Sequence, residues 1–374
     1  MKILFTGGGT GGHILPIIAI SRELRRSYTQ KDLELYYMGP EDRFGDILLG
    51  QERIRVLTVG SGKIRRGQGM GGFFPNLFDM FFKTPWAIVK AFRMLFLLSP
   101  DLIFSKGGYG AIPATAAGRL LRIPVFLHEG DIIPGKANRA AEKFAVEIFA
   151  SFPHTRYFSP KKLMLVGNPI RREMFSGSKE EAVKLFNLQG GKPVLLIMGG
   201  SQGATRVNDM LLVILDQALN EFEIIHQTGD KNFHQVQTEA EVVMSEQNAP
   251  YYHPVGFMKE TELRHAYAAA DLIVSRAGSG SIFEIAALGK PSILIPLPES
   301  AQNHQVANAY AYAQTGAAFV LEQPNLQPHF FLQRVKDILY EPAEIAEMRE
   351  AASRFARPNA AKVVGEYLLT YLLQ

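Results

Sequence analysis

The chain has 374 residues, 47% hydrophobic and 20% charged, with a formal net charge of +4 and no cysteine. That length suffices for two α/β cores, and the missing cysteine excludes disulfides, thiolate metal sites and a thiol nucleophile. No uncharged apolar run reaches the roughly 18 residues of a membrane span, and the start, MKILFTGGG, lacks the charged leader and cleavage site of a signal peptide.

Strand-like runs at 3–6, 33–38, 102–105, 125–128, 194–198, 223–227, 272–275 and 292–295 alternate with helical patterns. That alternation predicts parallel sheets with helices on both faces. The first strand runs straight into Gly7-Gly8-Gly9-Thr10-Gly11-Gly12-His13, a G-x-G-x-x-G spacing. A dinucleotide site wants an acid at the end of the second strand. Here that strand ends in Met38-Gly39 and Glu41 comes late, and no P-loop Lys-Ser/Thr follows. The loop therefore suits a pyrophosphate or a sugar held in another way. His13, at the junction of loop and helix, either takes a proton from an attacking hydroxyl or caps the loop.

Residues 51–100 carry eight Lys/Arg against two acids, which points to an anionic substrate or a membrane surface. No nucleic-acid recognition module accompanies the charge. Thr84-Pro85 reads as an N-cap and first helical position, predicting a helix over 85–98 that is mostly core of the first sheet. The preceding Phe73, Phe74, Leu77, Phe78, Met80, Phe81 and Phe82, beside Lys63, Arg65, Arg66 and Lys83, suit an interfacial anchor on an anionic membrane. Simple core packing is the competing reading.

Gly107-Gly108-Tyr109-Gly110 adds a second loop open to an anion, and His128-Glu129-Gly130-Asp131 ends the next strand. In a parallel sheet these side chains share an edge with His13, and any of them can be a general base once burial tunes it. Their spacing has no metal-ligand pattern. A domain boundary is expected near Gly167-Asn168-Pro169, after a short strand at 163–166. Arg171, just beyond, is either a fixed positive charge or a solvated surface residue.

The second half echoes the first: strand 194–198, then GGSQGATRVN and a helix, with the Ser201 hydroxyl available to a leaving phosphate. Residues 275–308 give a Gly/Ser loop into a helix at 281–288, a turn at Gly289-Lys290-Pro291, the strand 292–295 and a loop bearing Gln302, Asn303, His304 and Gln305. Free N–H groups at such a helix start bind anions. Glu284, one turn in, is an acceptor for sugar hydroxyls. The segment 359–374, after Pro358, is a helical pattern that can pack back on the first half.

Taken in order, GGGTGGH, GGYG, HEGD-x-x-PG-x-x-NR, GNP-x-R, GGSQGA-x-x-x-N, SRAG-x-x-S-x-x-E, LIPLP and HQ-x-x-NA resemble the MurG family of bacterial glycosyltransferases over nearly the whole chain, from residue 1 to about 309. The resemblance implies an α/β GT-B architecture, two Rossmann-like domains with a deep cleft between them. Residues 1–169 would take the acceptor and associate with the membrane, with 358–374 packing back on them, and 170–357 would take the donor. It implies inverting transfer of N-acetylglucosamine from UDP-GlcNAc to the C4 hydroxyl of the muramoyl residue of lipid I, giving lipid II in peptidoglycan synthesis. No cofactor and no metal is implied, and the setting is the cytoplasmic face of the cell membrane.

Carried over by motif, Thr10, Gly11 and Gly12 approach the donor, and Arg171 and Ser201 bind its phosphates. Met258 contacts uracil through its backbone. Ser279, Gly280, Ser281, Ile282, Phe283 and Glu284 line the nucleotide, with Glu284 on the ribose, and Gln305 holds the sugar. Gly108, Tyr109 and His13 belong to the acceptor side. His13 is the first candidate for the base and Glu129 the second. The family's frequent HEQN reads His128-Glu129-Gly130-Asp131 here, so a carboxylate at Asp131 replaces an amide donor, and Ser281 stands where threonine is common. Rival readings are a transferase acting on another lipid such as diacylglycerol, a UDP-N-acetylglucosamine epimerase, and a membrane scaffold that keeps a nucleotide pocket.

Overall fold

The computed structural model describes residues 1–8, 11–30, 32–60, 62, 82–153, 157–199 and 204–374. The chain divides into two compact units, Met1–Arg171 joined by Arg357–Gln374, and Arg172–Ala356.

The first unit runs β1 (Lys2–Thr6), α1 (Gly11–Ser27), β2 (Glu34–Gly39), α2 (Arg43–Gln51), β3 (Arg55–Thr58), α3 (Thr84–Leu98), β4 (Leu102–Ser105), α4 (Ile112–Leu120), β5 (Val125–Glu129), α5 (Lys136–Ala141), β6 (Glu147–Ala150) and β7 (Leu163–Leu165). Its strands form one parallel sheet in the order β3-β2-β1-β4-β5-β6-β7. Ile3, Leu4 and Phe5 of β1 are fully buried, as a strand covered by helices on both faces must be. Register places Ile3 opposite Leu35 on one side and Leu102 on the other.

The second unit runs α6 (Lys179–Phe186), β8 (Val194–Met198), α7 (Thr205–Leu219), β9 (Glu223–Gln227), α8 (Phe233–Val243), β10 (Tyr252–Val255), α9 (Glu260–Ala269), β11 (Leu272–Ser275), α10 (Ser279–Ala287), β12 (Ser292–Leu294), α11 (His304–Ala313), β13 (Ala318–Val320), α12 (Pro328–Tyr340) and α13 (Pro342–Phe355). Its parallel sheet has the order β10-β9-β8-β11-β12-β13. The order repeats that of the first unit through six strands, and the first sheet adds β7 at its edge. In each sheet the chain starts at the centre, builds outward one way, then returns to build the other. The switch points, β1/β4 and β8/β11, are where doubly wound sheets bind ligands.

The last helix, α14 (Ala360–Leu373), returns to the first unit. Val364 and Leu368 join the core under α1, and the Tyr371 and Tyr367 rings meet Phe126 and Phe149 edge-on at 4.9 and 5.3 Å. At Gly365 the two helices pack side by side, with room for a Cβ in ordinary contact 3.6 Å from the Leu24 amide nitrogen.

α3 corrects the sequence reading. Only Ala87, Ala91 and Leu95 are buried, while Trp86 is 72% and Leu97 83% exposed. The expectation that most of this helix is core fails because Ala87, Ala91 and Leu95, at i, i+4 and i+8, form a narrow contact stripe in one cluster with Ala114 and Ala117. The wider apolar arc is left outside. Thr84 is the first helical residue and Lys83 holds the N-cap place, one position off the expected cap. Of the proposed aromatic anchor, Phe73, Phe74, Leu77, Phe78 and Phe81 lie outside the described residues, and Phe82 is exposed.

Candidate functional site

In the first unit the strand ends supply the chemistry. β1 delivers Gly7 and Gly8, whose carbonyls both accept from the buried Tyr37 hydroxyl at 3.2 Å. Gly11 and Gly12 open α1, and His13 in its first turn is half-buried. The His13 imidazole covers Gly8, where an added Cβ would stand 3.0 Å from the ring. It also covers Gly108, whose φ of +80° and 2.9 Å from a would-be Cβ to Nε2 leave room only for hydrogen. Two glycine loops and the candidate base thus form one packed layer at the β1/β4 switch point. Tyr109 begins a short turn there and is half-buried.

Beneath that layer is a buried polar cluster. Lys106 Nζ lies 2.8 Å from His128 Nδ1 and donates to Asn168 Oδ1 at 3.2 Å. His128 Nε2 faces the Gly167 carbonyl at 3.0 Å, so that nitrogen carries the ring proton and Nδ1 accepts from the lysine. Burial and then the Lys106 charge push the His128 pKa well down, so the imidazole is neutral.

Glu129 accepts from the Asp131 and Gly135 amides, both at 3.1 Å, and from Asn138 Nδ2 at 3.0 Å. Burial, helped by Asp131, pushes its pKa up to about 7 despite those donors. Its carboxylate ties together the loop 130–135 and α5. Asp131 is half-buried and Arg171 buried.

In the second unit, Ser201 lies outside the described residues, as does Thr10 in the first. The start of α7 is fixed from below. Asn208 Nδ2 donates to the Thr228 carbonyl at 3.1 Å, and its Oδ1 accepts from His226 Nε2 at 3.1 Å. His226 Nδ1 then accepts from the Tyr252 hydroxyl at 2.8 Å. Burial alone pushes His226 down to about 3.

α10 begins at Ser279, with Gly278 at the N-cap. Ser279, Gly280 and Ser281 are half-buried, whereas Ile282 and Phe283 are fully buried, Phe283 against Phe355 at 5.0 Å. The Ile282 N–H donates to the Gly278 carbonyl at 3.1 Å, so the N–H groups this helix start can offer a ligand are those of Ser279, Gly280 and Ser281. Met258 is buried too, consistent only with a main-chain contact. Glu284 Oε2 accepts from the buried Tyr267 hydroxyl at 3.2 Å, which fixes the carboxylate's orientation. Gln305 Oε1 accepts from the Leu297 amide at 3.0 Å, turning its Nε2 into the free donor end. The preceding Gln302 and Asn303 both sit at left-handed φ, 60° and 55°, which bends the loop 300–304 sharply ahead of α11.

Sequence reasoning missed Lys106, Asn168 and Tyr267. Lys106 had a signal: a charged residue directly after the buried strand LIFS and before paired glycines. Tyr267 had none, since it comes from the preceding helix and belongs to no motif. Among the described residues no group of three or more His, Asp or Glu side chains is disposed to hold a metal ion.

Two family models match the chain: the glycosyltransferase family 28 N-terminal domain over residues 3–150 and the C-terminal domain over 194–364. A relative from Clostridium botulinum strain Langeland, named UDP-N-acetylglucosamine--N-acetylmuramyl-(pentapeptide) pyrophosphoryl-undecaprenol N-acetylglucosamine transferase, is 33% identical across 99% of each chain. The crystal structure of Acinetobacter baumannii MurG aligns with a TM-score of 0.73 at 26% identity over 99% of each chain. A UDP-GlcNAc 2-epimerase from Neisseria meningitidis, 15% identical with a TM-score of 0.67 over 99% of this chain and 100% of its own, shares the fold alone.

Proposed function

The chain belongs to the MurG family of glycosyltransferases, and from that premise we propose that its second unit grips the donor and its first the acceptor. It is a GT-B enzyme that transfers N-acetylglucosamine from UDP-N-acetylglucosamine to undecaprenyl-pyrophosphoryl-N-acetylmuramoyl-pentapeptide, the lipid II-forming step of peptidoglycan synthesis.

One observation carries the division of labour: each sheet has a loop-to-helix start at its switch point, and in the second a half-buried carboxylate, Glu284, stands one turn into that helix, whereas Glu129 of the first unit is buried and engaged with its own loop. Glu284, held by Tyr267, suits the ribose hydroxyls. Backbone N–H groups of Ser279 to Ser281 and the α7 start suit the diphosphate, with Ser201 and Arg171 completing it, while Ile282 and Phe283 pack beneath them. The Met258 main chain faces uracil, and Gln305 Nε2 donates to the sugar. Thr10, Gly11 and Gly12 approach the donor sugar from the first unit, and Asp131 accepts from one of its hydroxyls. Gly108 and Tyr109 contact the acceptor.

In this reading the acceptor C4 oxygen attacks the anomeric carbon as the bond to the UDP oxygen breaks, and the centre inverts. The hydroxyl proton passes to His13. UDP leaves with the bond's electron pair, its charge met by helix N-termini, Ser201 and Arg171. His13 is preferred to Glu129 because all the hydrogen bonds found at Glu129 serve the loop it holds.

No helix among the described residues is long and apolar enough to cross a membrane. Contact with an anionic membrane surface is supported by the exposed face of α3, where Trp86, Val89, Phe96 and Leu97 share a helical stripe with Lys90 and Arg93. A UDP-linked donor fits a peripheral enzyme at the cytoplasmic face.

The test is transfer by the purified chain, UDP-N-acetylglucosamine against UDP-glucose as donor and lipid I against diacylglycerol as acceptor, with and without EDTA. Selective transfer to lipid I, unchanged by EDTA, is expected. Equal use of diacylglycerol, or dependence on a divalent ion, would overturn the reading.

A further inference from the structure

One buried charge has no part in the transfer as written. Lys106 leaves β4 only 6% exposed, with its Nζ between His128 Nδ1 and Asn168 Oδ1. A buried ammonium is strongly unfavourable unless counter-charge stands close. Glu129 on β5 and Asp131 in the loop after it are the carboxylates that act on it. His128 on the same strand faces it as a neutral acceptor, and His13 on α1 stands across Gly7, where a Cβ would lie 3.2 Å from His13 Cβ and 3.6 Å from Lys106 Cβ.

Two segments meet at this lysine. Lys106 leads directly into Gly107 and Gly108, both at positive φ, and Gly108 packs under the His13 ring. Through Asn168, and through His128 to the Gly167 carbonyl, it also secures the exit from β7.

We propose that Lys106 is a positioning residue for the acceptor, its buried ammonium balanced by Glu129 and Asp131 and holding the Gly107-Gly108 turn in the form that receives the acceptor's pyrophosphoryl group. This rests on the first unit being the acceptor side. It also gives Asp131 a reason to be a carboxylate: an amide there would leave the lysine under-compensated.

Burial lowers the Lys106 pKa to about 8, with Glu129 and Asp131 opposing that shift. Below that pH the ammonium is present; above it the proton leaves and the long-range attraction for a pyrophosphate goes with it. An arriving anion favours the protonated lysine, so acceptor binding takes up a proton in the alkaline range.

The experiment measures acceptor KM, donor KM and kcat of the full chain, with lipid I in detergent micelles, from about pH 6.5 to about pH 9.5. In the unmodified enzyme, acceptor KM rises above about pH 8, by about threefold per pH unit at its steepest and levelling at about tenfold, while donor KM stays flat. Lys106→Met raises acceptor KM about tenfold at neutral pH and abolishes the alkaline rise. Asp131→Asn keeps the rise but moves its onset to lower pH. The proposal is overturned if Lys106→Met keeps the alkaline rise, or if it changes donor KM or kcat as much as acceptor KM. Should Lys106→Met not fold, judged by circular dichroism, Asp131→Asn decides, and an unmoved onset overturns it. Absence of transfer by the unmodified chain would instead refute the acceptor reading itself.

Discussion

Replacing Gly108 by alanine tests whether the His13 imidazole does its work from where it lies. The added Cβ would meet His13 Nε2 at 2.9 Å, Gly8 N at 3.1 Å and Gly8 Cα at 3.2 Å, at a φ of +80°. With ψ at 168° this is the extended positive-φ region that glycine alone readily occupies, and it costs an L-residue about 1–3 kcal/mol. Relief of the contacts falls on the imidazole, because Gly8 is held through Tyr37. The stability loss is therefore about 1–3 kcal/mol, read as a shifted urea midpoint at constant m. A base moved by about an ångström loses on the order of 10²-fold in turnover. The assay is kcat with saturating donor under conditions where the variant is fully folded, alongside donor affinity, which should change less than about twofold. A double-mutant cycle with His13→Ala makes the attribution. His13→Ala alone should lose about 10²–10⁴ in kcat, and adding Gly108→Ala should then lose less than about threefold more. Full additivity of the two losses would refute the idea that the glycine acts through the histidine. So would a Gly108→Ala enzyme with normal turnover.

Tyr267→Phe deletes the hydrogen bond to Glu284, worth about 1 kcal/mol, so donor KM should rise about fivefold with kcat unchanged; steady-state kinetics varying UDP-N-acetylglucosamine check it. His226, pushed down to about 3 by burial, stays neutral in the fold while the unfolded chain protonates it near 6.5. Stability is therefore complete above about pH 6.5 and falls as pH drops, by about 1.4 kcal/mol per unit for this group. Urea titrations between about pH 5 and 7 should show that slope, reduced in His226→Gln. Trp86→Glu with Leu97→Glu should weaken sedimentation with phosphatidylglycerol vesicles by tenfold or more, since each lost side chain forfeits about 1.5–3 kcal/mol of apolar burial. Unchanged vesicle binding would exclude the α3 face as the contact.

Central strands were legible because covering on both faces concentrates apolar residues, and Leu102–Ser105, Val194–Met198, Glu223–Gln227 and Leu272–Ser275 match their expected limits, although Glu223, His226 and Gln227 are polar. The edges β3, β10 and β13 carry half-exposed residues and lose that signature. β6 lies inside its sheet but follows AAEKFAV, a stretch with strong helix propensity, so its four residues are masked by their neighbours. The glycine loops were readable from spacing. What set their geometry was not, because Lys106 reaches Asn168 across 62 residues and Tyr267 reaches Glu284 from another helix. α3 misled for a different reason: apolar composition reports a preference to leave water, and it does not distinguish a protein core from another apolar phase.

Because α14 completes the core of a unit begun at Met1, the first unit is discontinuous in sequence. On the ribosome, the second unit, ending at Ala356, has all its residues before the first does. The earlier-made half must wait with the groove beneath α1 open, exposing Ile17, Leu24 and Phe149, until the final turns of the chain emerge. Loss of the last dozen residues would therefore strike the half farthest from them in sequence, and leave the later-made half able to fold.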